Sequence, residues 1–279
     1  GHITLGNDSY LSWFKMGLGE NMKIGFIGCG NMASAMINGL ATKGGYDIYG
    51  LDHHEENIDR LKREASLKPM ADEKSLVRGC DVIVLSIKPK GYEALIDRIK
   101  EDVDGQIIMS IAPGFDLERL TSCFGKEVKL ARVMPNTPAL VGEGMSAFAG
   151  KNLTEEEEEH ALEILKSFGQ VVTLEEEYFG AFIGACGSSP AYVFMMIEAL
   201  ADAAVAEGIK RKEAYKMIAQ TVLGSAKMVL ETEEHPGVLK DQVASPSGTT
   251  IEAICTLEEE GFRNALIKAS RACTKKALK

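Results

Sequence analysis

The segment Lys23-Ile-Gly-Phe-Ile-Gly28-Cys-Gly30-Asn-Met-Ala33 narrows the folds open to this chain more than any other stretch. An apolar, strand-forming run enters Gly-x-Gly-x-x-Ala and leaves as a helical pattern. Gly28 permits the tight turn, Gly30 lets a pyrophosphate approach the backbone, Ala33 keeps helix and strand close, and the helix start attracts phosphates. A glycine-rich turn that holds nothing is the bland alternative. The motif's position at the head of the first strand–helix–strand unit favours dinucleotide binding.

From residue 22 to 174, short apolar runs alternate with amphipathic ones. Residues 23–28, 47–51, 81–87, 106–111 and 129–134 read as strands. They are apolar along their length rather than alternating, so both faces of a parallel sheet are expected to be covered. This is the doubly wound α/β arrangement, a Rossmann-type domain over 22–174. From 175 to 279 the strand pattern stops, and helical segments near 178–186, 190–207, 212–231, 249–259 and 263–279 predict a second, all-α domain. In 190–207 the apolar residues go nearly all the way round, which suits a helix enclosed on most sides. A domain this small hides such a helix by pairing with a second copy, so dimerisation is expected.

With 279 residues and 45% hydrophobic content, the chain has material for two cores. Its formal net charge of −10 repels polyanions, and no Lys/Arg cluster with interleaved aromatics opposes that field, so no nucleic-acid partner is expected. The six cysteines stand singly, without Cys-x-x-Cys pairs or histidines at metal-ligand spacing, as small buried residues in a reducing cytoplasm do. Residues 1–21 lack periodicity and read as a leader or tag. Neither they nor any later stretch reads as a signal peptide or as apolar and long enough to cross a bilayer, so a cytoplasmic protein with no membrane partner is expected. The acidic run 155–159 follows Thr154, and Glu157 three residues on completes a capping box at a helix start.

Asp52 ends the second apolar run at roughly the 20-residue distance from Gly28 at which an acid accepts the ribose hydroxyls of NAD. An ordinary turn or cap residue is the alternative. No arginine follows at once to hold a 2′-phosphate, which favours NADH, although His53 and His54 stand beside it. Ser86-Ile87-Lys88-Pro89 closes the third clear strand at the carboxyl edge of the sheet, where ligands of open α/β folds bind. Lys88 there either holds a charged or hydroxyl group or is a solvated loop lysine. Arg132-Val-Met-Pro135-Asn136-Thr-Pro138 sets two prolines around two polar side chains, either a plain rigid turn or a rigid loop beside the nicotinamide position. Ser245-Pro-Ser-Gly248-Thr249-Thr250-Ile-Glu252 gathers Pro, Gly and hydroxyls before an amphipathic helix. Free backbone N–H groups and the positive helix end then face one point, which holds a carboxylate without an arginine; a well-capped helix start is the equal alternative. Among five histidines only His235 is near that segment. With no Gly-x-Ser-x-Gly, metal cluster or Walker-type phosphate loop, the chemistry is expected from a cofactor.

On these residues the chain resembles the pyrroline-5-carboxylate reductase family over its length from Met22. The matching segments are, in order, GFIGCGNMA, SIKP, SIAPG, MPNTPALVGEG, GSSPAYVF, EALADAAVAEGI, HPGVLKDQVASPSGTTIEAI and LEEEGFR. The resemblance implies a Rossmann domain and a helical dimerisation domain, often in a pentamer of dimers with the substrate site shared between subunits. It implies reduction of L-1-pyrroline-5-carboxylate to L-proline by NADPH or NADH, the last step of proline synthesis. Cofactor contacts then fall on Gly28, Cys29, Gly30, Asn31, Met32 and Ala33 in the turn and on Asp52. Others fall on Ser86, Ile87, Lys88, Pro89, Ala112 and Asn136 along the sheet edge. Thr250 looks like the hydroxyl that hydrogen-bonds the imine nitrogen. Ser245 and the N–H groups of Gly248 and Thr249 hold the carboxylate, and Glu233, Lys240 and Val243 are similar to neighbours of that pocket. The chain departs from the family at Ser188 and Ser247, which replace glycines and add a Cβ at positions where φ > 0 would strain them. It departs also at Glu73, where many relatives carry Asn; with Asp52 this leans the coenzyme reading towards NADH. A β-hydroxyacid dehydrogenase shares the opening motif but places a catalytic lysine on the first long helix of its second domain, and residues 182–190 here contain none.

Overall fold

The computed structural model describes residues 20–279, so the leader expected over residues 1–21 lies outside the described residues except for its last two. β1 (Met22–Ile27), β2 (Tyr46–Leu51), β3 (Lys68–Pro69), β4 (Val82–Leu85), β5 (Ile107–Ser110), β6 (Lys129–Met134), β7 (Gly144–Lys151) and β8 (Gly169–Thr173) form one sheet in the order β3-β2-β1-β4-β5-β6-β7-β8. β1 pairs in parallel with both β2 and β4, so the strand order reverses there and opens a crevice at the carboxyl ends.

Six helices flank the sheet: α1 (Asn31–Lys43), α2 (Glu55–Ala65), α3 (Glu73–Gly79), α4 (Tyr92–Ile99), α5 (Leu117–Phe124) and α6 (Glu155–Lys166). Successive strand side chains point to opposite faces, so β4 sends Val82 and Val84 one way and Ile83 and Leu85 the other. Val82 and Val84 join a core with Met36, Ile37 and Leu40 of α1, Leu61 of α2 and Ile164 and Leu165 of α6. Ile83 and Leu85 join a second core with Leu76 of α3, Tyr92, Leu95 and Ile96 of α4 and Leu120 of α5. Burial on both faces explains why these strands read as unbroken apolar runs.

The sheet is not wholly parallel, as the sequence had suggested. β7 runs antiparallel to β6 and β8 parallel to β7. A parallel neighbour needs a crossover of a dozen residues or more, whereas only a 3₁₀ turn over Thr137–Val141 joins β6 to β7, so the chain turns straight back. β3, β7 and β8 escaped the sequence reading: β3 is two residues long, β7 is rich in Gly and Ala, and β8 is a five-residue edge strand that opens on a glycine and buries neither face fully.

The chain divides into one compact unit ending at Phe182 and another, Ile183–Lys279. The first ends later than the 174/175 boundary read from sequence because α7 (Phe179–Phe182) buries both of its phenylalanines. The second unit is helical: a π turn over Ile183–Gly187, then α8 (Ser189–Ala206), α9 (Arg211–Thr232), α10 (Pro236–Val243), α11 (Thr249–Glu259) and α12 (Phe262–Ala277).

The helix read over 190–207 buries only Ala201 within the single chain, and Phe194, Met195 and Leu200 are exposed, as expected of a helix that a second copy of the chain must cover. One sequence expectation does need correction: Glu176–Ala206 is a continuous 31-residue helical run that is long and apolar enough to cross a bilayer by length and composition. Gly187-Ser-Ser-Pro190 looked like a break, but Pro190 falls in the first turn of α8, where its missing N–H costs nothing.

Candidate active site

The glycine turn is fixed by geometry that only glycine meets. Gly28 has φ +99°, and a Cβ there would lie 2.7 Å from the carbonyl oxygen of Ser86. Its N–H donates to the Leu51 carbonyl at 3.0 Å, and the Ser86 hydroxyl donates to the Gly28 carbonyl at 2.6 Å, lacing β1, β2 and β4 together at the crevice. Gly30 differs, because a Cβ at that position would meet nothing within 4 Å. It is the N-cap of α1 and offers no side chain to the first-turn N–H groups of Asn31, Met32 and Ala33. Open space above Gly30 and uncapped donors at a positive helix end fit a pyrophosphate. Ala33 is buried, as close strand–helix packing requires.

Cys29 is inert. Its side chain is fully buried, and burial, reinforced by Asp52, pushes the thiol up to about 12. Its backbone does the work: Cys29 N–H donates to Asp52 Oδ2 at 2.6 Å, and His54 N–H donates to Oδ1 at 2.7 Å. Asp52 thus pins the glycine turn to the end of β2. Each carboxylate oxygen keeps a lone pair for a further donor.

Asp52 also lines a cleft with Pro69, Met70, Asp72, Glu73, Lys74 and Arg98. The bidentate pair between Arg98 and Glu73, with both N–H···O distances 2.9 Å, closes one wall. Arg98 was not singled out from sequence, because nothing local in a helix links it to a residue 25 positions earlier. Asp72-Glu-Lys-Ser75 did carry a signal, since Asp72 caps α3 by accepting the Ser75 N–H at 2.7 Å.

Along the sheet edge, Ile87 packs against Gly28, while Lys88 is exposed and precedes the 3₁₀ turn that starts at Pro89. Ala112 is buried beyond β5. Asn136 is buried too, and its Oδ1 accepts the Met145 N–H at 2.8 Å, which ties the Pro135–Pro138 loop to β7.

In the helical unit, Gly248 is the N-cap of α11, with no side-chain cap for the N–H groups that follow. Gly248 N–H donates to the Ser245 carbonyl at 3.1 Å, so of the two backbone donors expected for a carboxylate this one already serves the turn. A Cβ on Gly248 would lie 2.5 Å from Ser245 Oγ, so the hydroxyl rests directly over the glycine. Among the described residues the Thr250 hydroxyl has no hydrogen-bond partner, and it lies half-buried one residue into the helix. Glu233 ends α9 at φ +55°, Lys240 on α10 lies 3.6 Å from Asp241, and Val243 is exposed. His235 is a structural cap: its Nδ1 accepts the Gly237 N–H at 2.9 Å and starts α10, an element the sequence reading missed. Ser188 has φ −99° and no strain, whereas Ser247 has φ +59°. No cluster of metal-ligating side chains occurs among the described residues.

A mostly parallel sheet of reversed strand order with a phosphate-ready glycine turn and a helical second unit defines an NAD(P)-dependent oxidoreductase. A family model described as pyrroline-5-carboxylate reductase dimerisation matches residues 176–279, and one described as NADP oxidoreductase coenzyme F420-dependent matches 23–114. The pyrroline-5-carboxylate reductase of Escherichia coli K12 is 42% identical over 262 residues, covering 92% of this chain and 97% of the relative. That of Methanosarcina acetivorans is 42% identical over 260 residues, covering 90% and 96%. Among solved structures, the Coxiella burnetii pyrroline-5-carboxylate reductase has a TM-score of 0.87 at 30% identity, covering 92% of this chain and 98% of that one. The Plasmodium falciparum pyrroline carboxylate reductase with NADP bound has a TM-score of 0.80 at 31% identity, covering 92% and 97%. The chain belongs to the pyrroline-5-carboxylate reductase family.

Proposed function

We propose that this chain reduces the carbon–nitrogen double bond of L-1-pyrroline-5-carboxylate to give L-proline, with NADPH or NADH as reductant. The observation that carries the reading is the start of α11, an uncapped helix end with the Ser245 hydroxyl over Gly248 and an unengaged Thr250 hydroxyl. A substrate with one carboxylate and one ring nitrogen matches these groups. The Thr249 N–H and the Ser245 hydroxyl donate to the carboxylate, aided by the helix dipole, and the missing side chain of Gly248 lets the Ser245 hydroxyl sit at the helix start. The Thr250 hydroxyl hydrogen-bonds the ring nitrogen, orienting the ring and stabilising the charge that changes there. Lys240, Glu233 and Val243 border this pocket.

A reduced nicotinamide dinucleotide would supply the hydride; the uncapped first turn of α1 would hold its pyrophosphate, Asp52 its adenosine ribose, and the edge formed by Ser86–Pro89, Ala112 and Asn136 its nicotinamide end. Because an iminium carbon is already electrophilic, positioning provides most of the acceleration and no strong general acid is needed. Thr250→Ala should lower kcat roughly 10- to 1000-fold, the scale for one transition-state hydrogen bond, with nucleotide affinity unchanged. Activity within about twofold of wild type would remove Thr250 from this role.

A second copy of the chain covers the exposed apolar face of α8, and five such dimers form the assembly. Six free cysteines suit a reducing, cytoplasmic setting.

A further inference from the structure

We propose that Glu73, by engaging Nε and Nη2 of Arg98 beside Asp52, makes this enzyme select NADH over NADPH. The inference rests on the dinucleotide reading above. NADPH differs from NADH by a 2′-phosphate on the adenosine ribose, which lies past the end of the second strand in folds of this order. Here that place is the cleft walled by Asp52, Glu73, Lys74 and Arg98. Seven carboxylates line it against two cations, Lys74 and Arg98.

Arg98 has the planar fork that grips phosphate, but Nε and Nη2 both donate to Glu73 at 2.9 Å. Arg78, on the neighbouring α3, is likewise engaged, its Nε donating to Asp102 at 2.7 Å. Lys74 brings a single charge, offset by Asp72 and Glu73 in the same wall. Asp52, held by the Cys29 and His54 N–H groups, presents acceptors that suit a 2′-hydroxyl and repel a 2′-phosphate. The wall therefore favours the hydroxyl by attraction and rejects the phosphate by repulsion, the two halves of a specificity device.

Direct titration of the protein with NADH and with NADPH, followed by the change in nucleotide fluorescence, tests this without turnover. Wild type should bind NADH about tenfold or more tighter than NADPH. Glu73→Gln should shrink that ratio by roughly fivefold or more through tighter NADPH binding, and Glu73→Gln with Arg98→Met should lose the gain, identifying Arg98 as the released group. Thermal unfolding of each variant checks that the fold is kept. Equal affinity for the two nucleotides in wild type, or a ratio unmoved by Glu73→Gln, overturns the proposal while leaving dinucleotide binding intact. Binding of neither nucleotide overturns the dinucleotide reading and the proposal with it.

Discussion

Ser247 holds a left-handed backbone at φ +59°, two residues ahead of α11. A side chain in that region costs roughly 1–2 kcal/mol, partly offset by the extra chain entropy that glycine loses on folding. Ser247→Gly should therefore raise unfolding free energy by about 0.5–1 kcal/mol, read from urea midpoints. Ser188→Gly serves as the contrast: at φ −99° there is no strain to relieve, and the Cys273 Sγ–Ser188 Oγ contact at 3.2 Å is lost, so no gain should appear. The motif comparison marked both serines alike, because a missing glycine is legible in sequence and φ is not. The glycine turn was legible residue by residue, since each of its glycines answers a local demand. The Glu73–Arg98 pair was not, because it joins two helices through space.

At the level of elements, α6 depends on both its cap and a buried ion pair. Thr154 accepts the Glu157 N–H at 3.1 Å, and Glu157 Oε1 accepts the Thr154 N–H at 3.0 Å, the capping box expected from sequence. Glu157 is almost fully buried, and its other oxygen lies 2.6 Å from Lys129 Nζ on β6. Lys129→Met leaves that carboxylate buried without its cation and should cost about 3 kcal/mol in a denaturation experiment, far beyond a surface pair. A loss under about 1 kcal/mol would mean the pair is solvated in solution. Sequence spacing reached the capping box but not the burial of Glu157, because its partner on a strand lies beyond any local pattern. The five apolar strands were legible because burial on both faces leaves an unbroken signal. β7, built from small residues, carries almost none.

At the scale of the molecule, the helical unit is unfinished as a single chain. α8 buries one residue, Ala201, while Phe194, Met195 and Leu200 stay exposed, and the region matches a dimerisation family. Its all-round apolar sequence therefore announced a partner rather than an intramolecular core. Phe194→Asp places a charge in that interface and should shift sedimentation equilibrium from dimer or larger towards monomer. A distribution unchanged from wild type would place the interface elsewhere. Purified protein mixed with L-1-pyrroline-5-carboxylate and NADH or NADPH should consume the reduced-nicotinamide absorbance and release proline in equal amount, faster with NADH at limiting coenzyme. Nucleotide binding with no loss of that absorbance would contradict the account.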